Sequence, residues 1–187
     1  MTRWILWLLG GILLGGIVHL TTVLWLPRTA TQDAYSRLLA ITPANAVATL
    51  PDPSPDKAVL PYMDPAFATA ICRYDLASGP LQLSLNVSQA YTSVSFYTRF
   101  GTAYYAINDR AAGRRVIQLD LMTEQQRSEM PQEEDVTAAD RLIVESPTVT
   151  GIIVLKALAP EPGLMPMARA ALAAAQCQLQ PLPQAAK

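Results

Sequence analysis

The residues able to do chemistry in this chain are few and widely spaced. Three aspartates, Asp64, Asp75 and Asp109, could in principle act as a carboxylate pair on a glycan, where one carboxyl donates a proton and a second attacks or activates water. Each also has a plain role as a turn residue: Asp64 precedes Pro65, Asp75 closes an apolar alternation, and Asp109 sits in the polar run Asn108-Asp109-Arg110. The one histidine, His19, lies inside a long apolar run. A Ser–His–Asp or Cys–His system in the rest of the chain would therefore need a histidine from another molecule. Ser–Lys chemistry would have to use Lys57, Lys156 or Lys187, and only Lys156 stands outside Pro-rich or terminal sequence.

Cys72 and Cys177 are the only cysteines. They lack Cys-x-x-Cys spacing and have no histidine nearby, so no metal or other cofactor is expected. An even count suits a disulfide in an oxidising compartment, and the bond would tie the last helix to the first core strand; two buried thiols are the alternative. The acidic run Glu133-Glu134-Asp135 reads as a solvated loop, and Asn86-Val87-Ser88 matters as a glycosylation pattern only in a eukaryotic secretory route. Tyr91, Phe96, Tyr97, Phe100, Tyr104 and Tyr105 crowd one stretch, fit either to fill a core or to line a groove for an apolar ligand.

The elements that must position these groups begin with an anchor. Trp4 to Leu26 contains no Asp, Glu, Lys or Arg. As a helix it would be about 35 Å long, enough to cross a hydrocarbon core of about 30 Å. Trp4, Trp7 and Trp25 lie near its ends, where indoles favour the interface. A cleaved signal peptide would have a shorter apolar core and a small-x-small site, whereas Pro27-Arg28-Thr29 follows here. The expectation is an uncleaved, single-pass anchor across an inner membrane, with residues 1–3 in the cytoplasm and the remainder in the periplasm. Gly11, Gly15, His19 and Thr22 share one face of that helix, a pattern that permits close helix packing and is also common in anchors by chance.

Residues 27–61 read as a juxtamembrane segment and Pro-rich linker, with a short apolar helical face at Tyr35, Leu38 and Leu39 and prolines at 43, 51, 53, 55 and 61. Residues 62–179 read as the folded domain. Alternation over Ala68–Leu76 and Leu81–Val87, broken by Ser78-Gly79-Pro80, predicts a first hairpin. Thr92–Tyr97 and Thr102–Ile107 predict a second, and Asn108–Gly113 a turn. Strands follow around Ile117–Leu121, Leu142–Val144 and Gly151–Ala157, with a polar loop carrying helical turns over Thr123–Asp140. An Ala-rich helix is expected over Leu164–Leu179, and residues 180–187 as a tail. About seven short strands and one terminal helix predict a mainly β domain, jelly-roll-like or a sandwich.

The order of several short motifs resembles a bacterial membrane-anchored family, that of the domain of unknown function numbered twelve fifty-four. The motifs are Pro61 through Phe67, Cys72-Arg73-Tyr74-Asp75-Leu76 with Gly79-Pro80, Tyr91 through Tyr97, Asn108-Asp109-Arg110, and the Gly151 strand running on to Cys177. The resemblance implies a β-rich fold and association with a second domain, numbered twelve fourteen, which longer relatives carry in the same chain. Within these motifs Asp64, Arg73, Asp75, Tyr91, Asn108, Asp109 and Arg110 are the surface or pocket candidates, and the resemblance brings no assigned chemistry to any of them. Thr92 stands where that family's pattern leads one to expect Trp. Fourteen basic and fifteen acidic residues give a net charge of −1, without the basic field that nucleic acid requires. The partners expected are membrane lipid, through the anchor, and an envelope protein, a separately encoded companion domain being one candidate. A carboxylate hydrolase and an apolar-ligand binder are the rivals.

Overall fold

The computed structural model describes residues 2–29, 33–54, 58–113, 115–129 and 142–180, the side chains of residues 27 and 28 excepted. Helix α1, Thr2–Thr29, forms one unit by itself. It is long and apolar enough to cross a membrane, and none of its most apolar stretch is covered by protein. Thr21 and Thr22 fit such a helix because their hydroxyls donate to the carbonyls of Ile17 and Val18 at 2.8 Å. Gly11, Gly15, His19 and Thr22 all lie on this helix, exposed.

The second unit, from Ala34 onward, is a two-layer β sandwich, as its alternating sequence requires. The short helix α2 (Ala34–Leu39) leads to β1 (Val47–Thr49), β2 (Phe67–Asp75), β3 (Leu81–Asn86), β4 (Thr92–Thr98) and β5 (Ala103–Asn108). One turn of helix, α3 (Asp109–Ala112), leads into β6 (Val116–Thr123), then α4 (Glu124–Ser128), β7 (Leu142–Ser146) and β8 (Thr150–Leu158). A 3-10 turn, Pro162–Leu164, opens α5 (Met165–Ala173), and β9 (Gln176–Leu179) follows. One sheet has the order β1-β2-β8-β4-β5, the other β7-β6-β3-β9. Between them lie Ala70, Cys72, Tyr74, Leu81, Leu83, Leu85, Val94, Phe96, Leu119, Leu121, Ile153 and Leu155, all essentially without solvent contact. The mainly β expectation, with a sandwich and a helix near the C-terminus, is borne out.

Three expectations change. The strands on either side of Ser78-Gly79-Pro80 do not form a hairpin. β2 pairs with β8 along its whole length, from Phe67 opposite Leu158 to Asp75 opposite Thr150, while β3 pairs with β6 and β9. The turn carries the chain from one sheet to the other, with Gly79 at φ 145° and its N–H donated to the Leu76 carbonyl at 3.2 Å. Alternation fixes which face of a strand is buried, and two strands whose apolar faces meet across a core alternate just as two hydrogen-bonded neighbours do.

The C-terminal helix ends at Ala173, and Cys177 belongs to β9, which runs antiparallel to β3 with Ser84 opposite Gln176 and Leu81 opposite Leu179. Gln176-Cys177-Gln178-Leu179 has period two, masked by the alanines before it.

The segment expected as a linker is largely part of the sandwich. Tyr35, Leu38 and Leu50 are buried with Ile71 and Ile152 in a second, smaller core on the outer face of the five-stranded sheet. Leu39, expected on that apolar face, is instead half exposed, because the buried face follows Tyr35 and Leu38 and the next residue on a helix points about 100° away. β1 adds to β2 as an edge strand, with Val47 opposite Cys72. The strap so formed is anchored by the buried Thr42 and Leu50, while Pro43, Pro51 and Pro61 stay exposed along it.

Two smaller elements follow local rules. Asn108 caps α3 by accepting the Ala111 N–H at 2.8 Å, and Gly113 ends it at φ 61°. Thr123 and Gln126 form a reciprocal capping box on α4. The acidic run Glu133-Glu134-Asp135, with Lys57, Lys187 and the tail beyond Gln180, lies outside the described residues.

Candidate functional site

Each candidate carboxylate is engaged where the chain turns. Asp64 Oδ1 accepts the N–H of Ala66 at 2.9 Å, and Asp75 Oδ1 accepts that of Ala77 at 3.0 Å. Both are Asx turns. Asp109 opens α3 and accepts the Thr92 N–H at 3.5 Å, at the limit of a hydrogen bond. Asp75 and Asp109 occupy opposite ends of the sandwich. Asp75 faces Thr150 where β8 begins, whereas Thr92, which Asp109 holds, faces Ala157 near its end. Among the described residues, no group of three or more His, Cys, Asp or Glu side chains is placed to hold a metal ion.

Of the other candidates, Tyr91, Asn108, Asp109 and Arg110 are brought to one end, where β4 starts and β5 finishes. Tyr91 meets Phe67 edge-on with ring centres 6.5 Å apart, and the ammonium of Lys156 lies 5.8 Å from the Phe67 ring. Thr92 is fully buried, its hydroxyl 2.8 Å from that of Ser88 and accepting the Ser88 N–H at 2.9 Å. Arg73 lies on the other face, beside the strap. Its Nε donates to the Thr42 carbonyl at 3.3 Å and Nη1 to the Tyr35 hydroxyl at 3.4 Å.

One fully enclosed polar group was not legible in the sequence. Tyr74 is buried on β2, its hydroxyl 3.0 Å from Ser146 Oγ, 3.3 Å from Thr148 Oγ1 and 3.3 Å from the Tyr97 carbonyl. Tyr104 donates to it at 3.2 Å. Burial pushes the Tyr104 phenol well above the ordinary tyrosine range, only partly opposed by its hydrogen bond to Ser146. The cluster joins the two sheets, since Tyr74 and Tyr104 belong to one and Ser146 to the other. Its members among the described residues are hydroxyl groups and a carbonyl, and it reads as a cross-sheet clasp. No local signal announces it, because Tyr74 and Ser146 are 72 residues apart.

An open apolar groove of about 210 Å³ lies between the loop after β3 and helix α5, lined by Val87, Ala90, Leu158, Pro160, Leu164 and Met167 among others. The tyrosine-rich stretch does not line it. Phe96 instead fills the core, with Tyr104 and Tyr105 tilted against it at 6.1 and 5.7 Å.

Two guanidinium groups lie by the Tyr35 ring on the outer face. The Arg99 guanidinium lies 4.3 Å from the Tyr35 ring centre and that of Arg73 5.7 Å from it, and Arg99 also lies 6.0 Å from the Phe100 ring.

Cys72 on β2 and Cys177 on β9 are disulfide-bonded, with Cα atoms 6.4 Å apart. The bond is buried and ties one sheet to the other.

No protein-family model and no curated protein matches the chain. Among solved structures, the VPA0106 protein of Vibrio parahaemolyticus is similar over 82% of this chain, at 12% identity and a TM-score of 0.57. A protein of Burkholderia cenocepacia is similar over 62% of this chain and 32% of its own, at 12% identity and a TM-score of 0.45. The chain matches 38% of the length of the Vibrio protein, and what the two share is the fold.

Proposed function

We propose that this is a single-pass envelope protein of the family numbered twelve fifty-four, with α1 in the inner membrane and the sandwich in the periplasm as a binding domain for a companion protein. The observation that carries the reading is the buried Cys72–Cys177 bond, in a chain that begins with a helix fit to cross a lipid bilayer. Disulfides persist in oxidising compartments and are rare in the cytosol. A domain stapled in this way belongs on the far side of the membrane from the ribosome.

The binding role draws on two further facts. Asp64 and Asp75 each accept a backbone N–H of their own turn, and Asp75 lies at the opposite end of the sandwich from Asp109, which accepts the Thr92 N–H. A similar sandwich in Vibrio is accompanied by further chain, since the match covers 38% of that protein. The partner proposed is a companion domain of the kind the family resemblance implies.

The test is crosslinking of the full chain in intact envelopes with a reagent confined to the periplasm. A discrete, reproducible adduct containing one second protein is expected. Repeated trials yielding no adduct, with the domain shown to be folded, would refute the binding role.

A further inference from the structure

We infer that the face built around Tyr35 seats the sandwich on anionic lipid headgroups. This rests on the proposal that α1 is a membrane anchor and goes beyond it, since the domain itself becomes a lipid-binding surface. Three observations converge on the same face.

The first is charge. The guanidinium groups of Arg73 and Arg99 lie 5.7 and 4.3 Å from one ring centre, hence within about 10 Å of each other, the Debye length at about 0.1 M salt. An anion arriving there meets both together. Arg37, exposed on α2 two residues after Tyr35, adds a third positive side chain, against one carboxylate in the same stretch, Asp33. A guanidinium has five N–H donors in a planar fork, so one already holding a carbonyl, a phenol or a carboxylate still has donors for a phosphate oxygen.

The second is apolar exposure beside that charge. Leu39, one helical turn beyond Tyr35, is 49% exposed, Ile41 45%, and Phe100, against which Arg99 stacks, 50%. Arginine and aromatic side chains with aliphatic neighbours suit the bilayer interface, where apolar ends enter the acyl boundary and charged ends stay with the headgroups.

The third is reach, which selects lipid over a soluble anion. Only four residues, hence five Cα-to-Cα steps, carry the chain from Thr29, at the end of α1, to Ala34, at the start of α2. Fully extended they span about 18 Å. With α1 embedded, Tyr35 is never far from the headgroups. The strap's burial in the second core makes the sandwich follow. Net attraction to anionic lipid acts over a Debye length of about 10 Å, so a tether of at most about 18 Å keeps the face within about two such lengths of the end of α1 and its encounters with headgroups frequent.

The experiment uses the full chain in lipid nanodiscs, with nitroxide labels on single exposed cysteines under non-reducing conditions, which leave the Cys72–Cys177 bond intact. Phe100→Cys and Ile41→Cys report the face, Gln125→Cys the exposed helix α4 by the other sheet, and Leu13→Cys the anchor. Collision with oxygen against a water-soluble nickel chelate reads depth. In discs containing phosphatidylglycerol, labels at 100 and 41 are expected to shift several-fold towards oxygen relative to 125. The shift should shrink in purely zwitterionic discs and with Arg99→Gln. Labels at 100 and 41 as aqueous as 125, with 13 deep in the bilayer, would overturn the inference and leave the anchor standing; an aqueous reading at 13 would overturn the anchor itself. An equal shift in both lipids would overturn the recognition of anionic headgroups.

Discussion

Replacing both Cys72 and Cys177 with alanine should cost this domain a large part of its stability. The bond closes a loop of 105 residues. In the chain-entropy account the unfolded ensemble loses about 16 cal/mol/K when such a loop is closed, about 4.8 kcal/mol at 25 °C. Domains of ordinary size have only about 5–15 kcal/mol to lose. Both sulfurs are buried, Cys72 completely, so cutting the bond also removes packed volume between the two sheets. Measured losses for native disulfides run from about 2 to 5 kcal/mol, and the long loop argues for the upper half of that range. For a unit of this size each kcal/mol is worth about 2–4 °C, so a melting midpoint lowered by about 10 °C or more is expected. The assay is thermal unfolding of the full chain in detergent, followed by far-ultraviolet circular dichroism, with urea titration as a second axis. A midpoint shift below about 3 °C, with an unchanged urea slope, would refute the reasoning.

Gly151→Ala should destabilise by about 1–3 kcal/mol or more, because a Cβ at that position would collide with the Tyr74 hydroxyl and the Tyr97 carbonyl, whereas Gly163→Ala, which meets nothing within 4 Å, should be near neutral; urea midpoints compare the two. Leu38→Ala should cost about 2–4 kcal/mol, as expected of a side chain 1% exposed. A Leu38→Ala variant as stable as the parent would show that the strap is only a tether. Tyr104 has its folded-state pKa raised by burial, so the stability it contributes is intact below the unfolded value of about 10 and is lost as pH rises towards the folded one. Tyr104→Phe should therefore lose about 1 kcal/mol at neutral pH yet decline less steeply above pH about 10 than the parent; parallel declines would contradict the assignment.

What the sequence made legible was local. The β4–β5 hairpin could be read because its strands are joined by a short turn, and the apolar helix because no charge interrupts it. The neighbours of β2 could not, since its partner β8 is some eighty residues away and alternation alone does not name it. β9 hid behind an alanine run, and β1 among prolines that signal extended chain without saying whether it joins a sheet. The candidate site shows the same division. Asp64, Asp75 and Asp109 could be recognised as turn residues from their neighbours, while the Tyr74–Ser146 clasp and the stacking of Arg73 and Arg99 on Tyr35 depend on long-range contacts.

The account turns on the sandwich being stapled outside the cytosol, and the thiol content of the chain in its own membranes tests that most directly. Envelopes quenched in acid, denatured and alkylated without reductant should give a full-length mass carrying no alkyl group, and two such groups once reductant is added first. A chain carrying both alkyl groups without reductant, under conditions where known periplasmic disulfides survive, would place the domain in a reducing compartment and contradict the account.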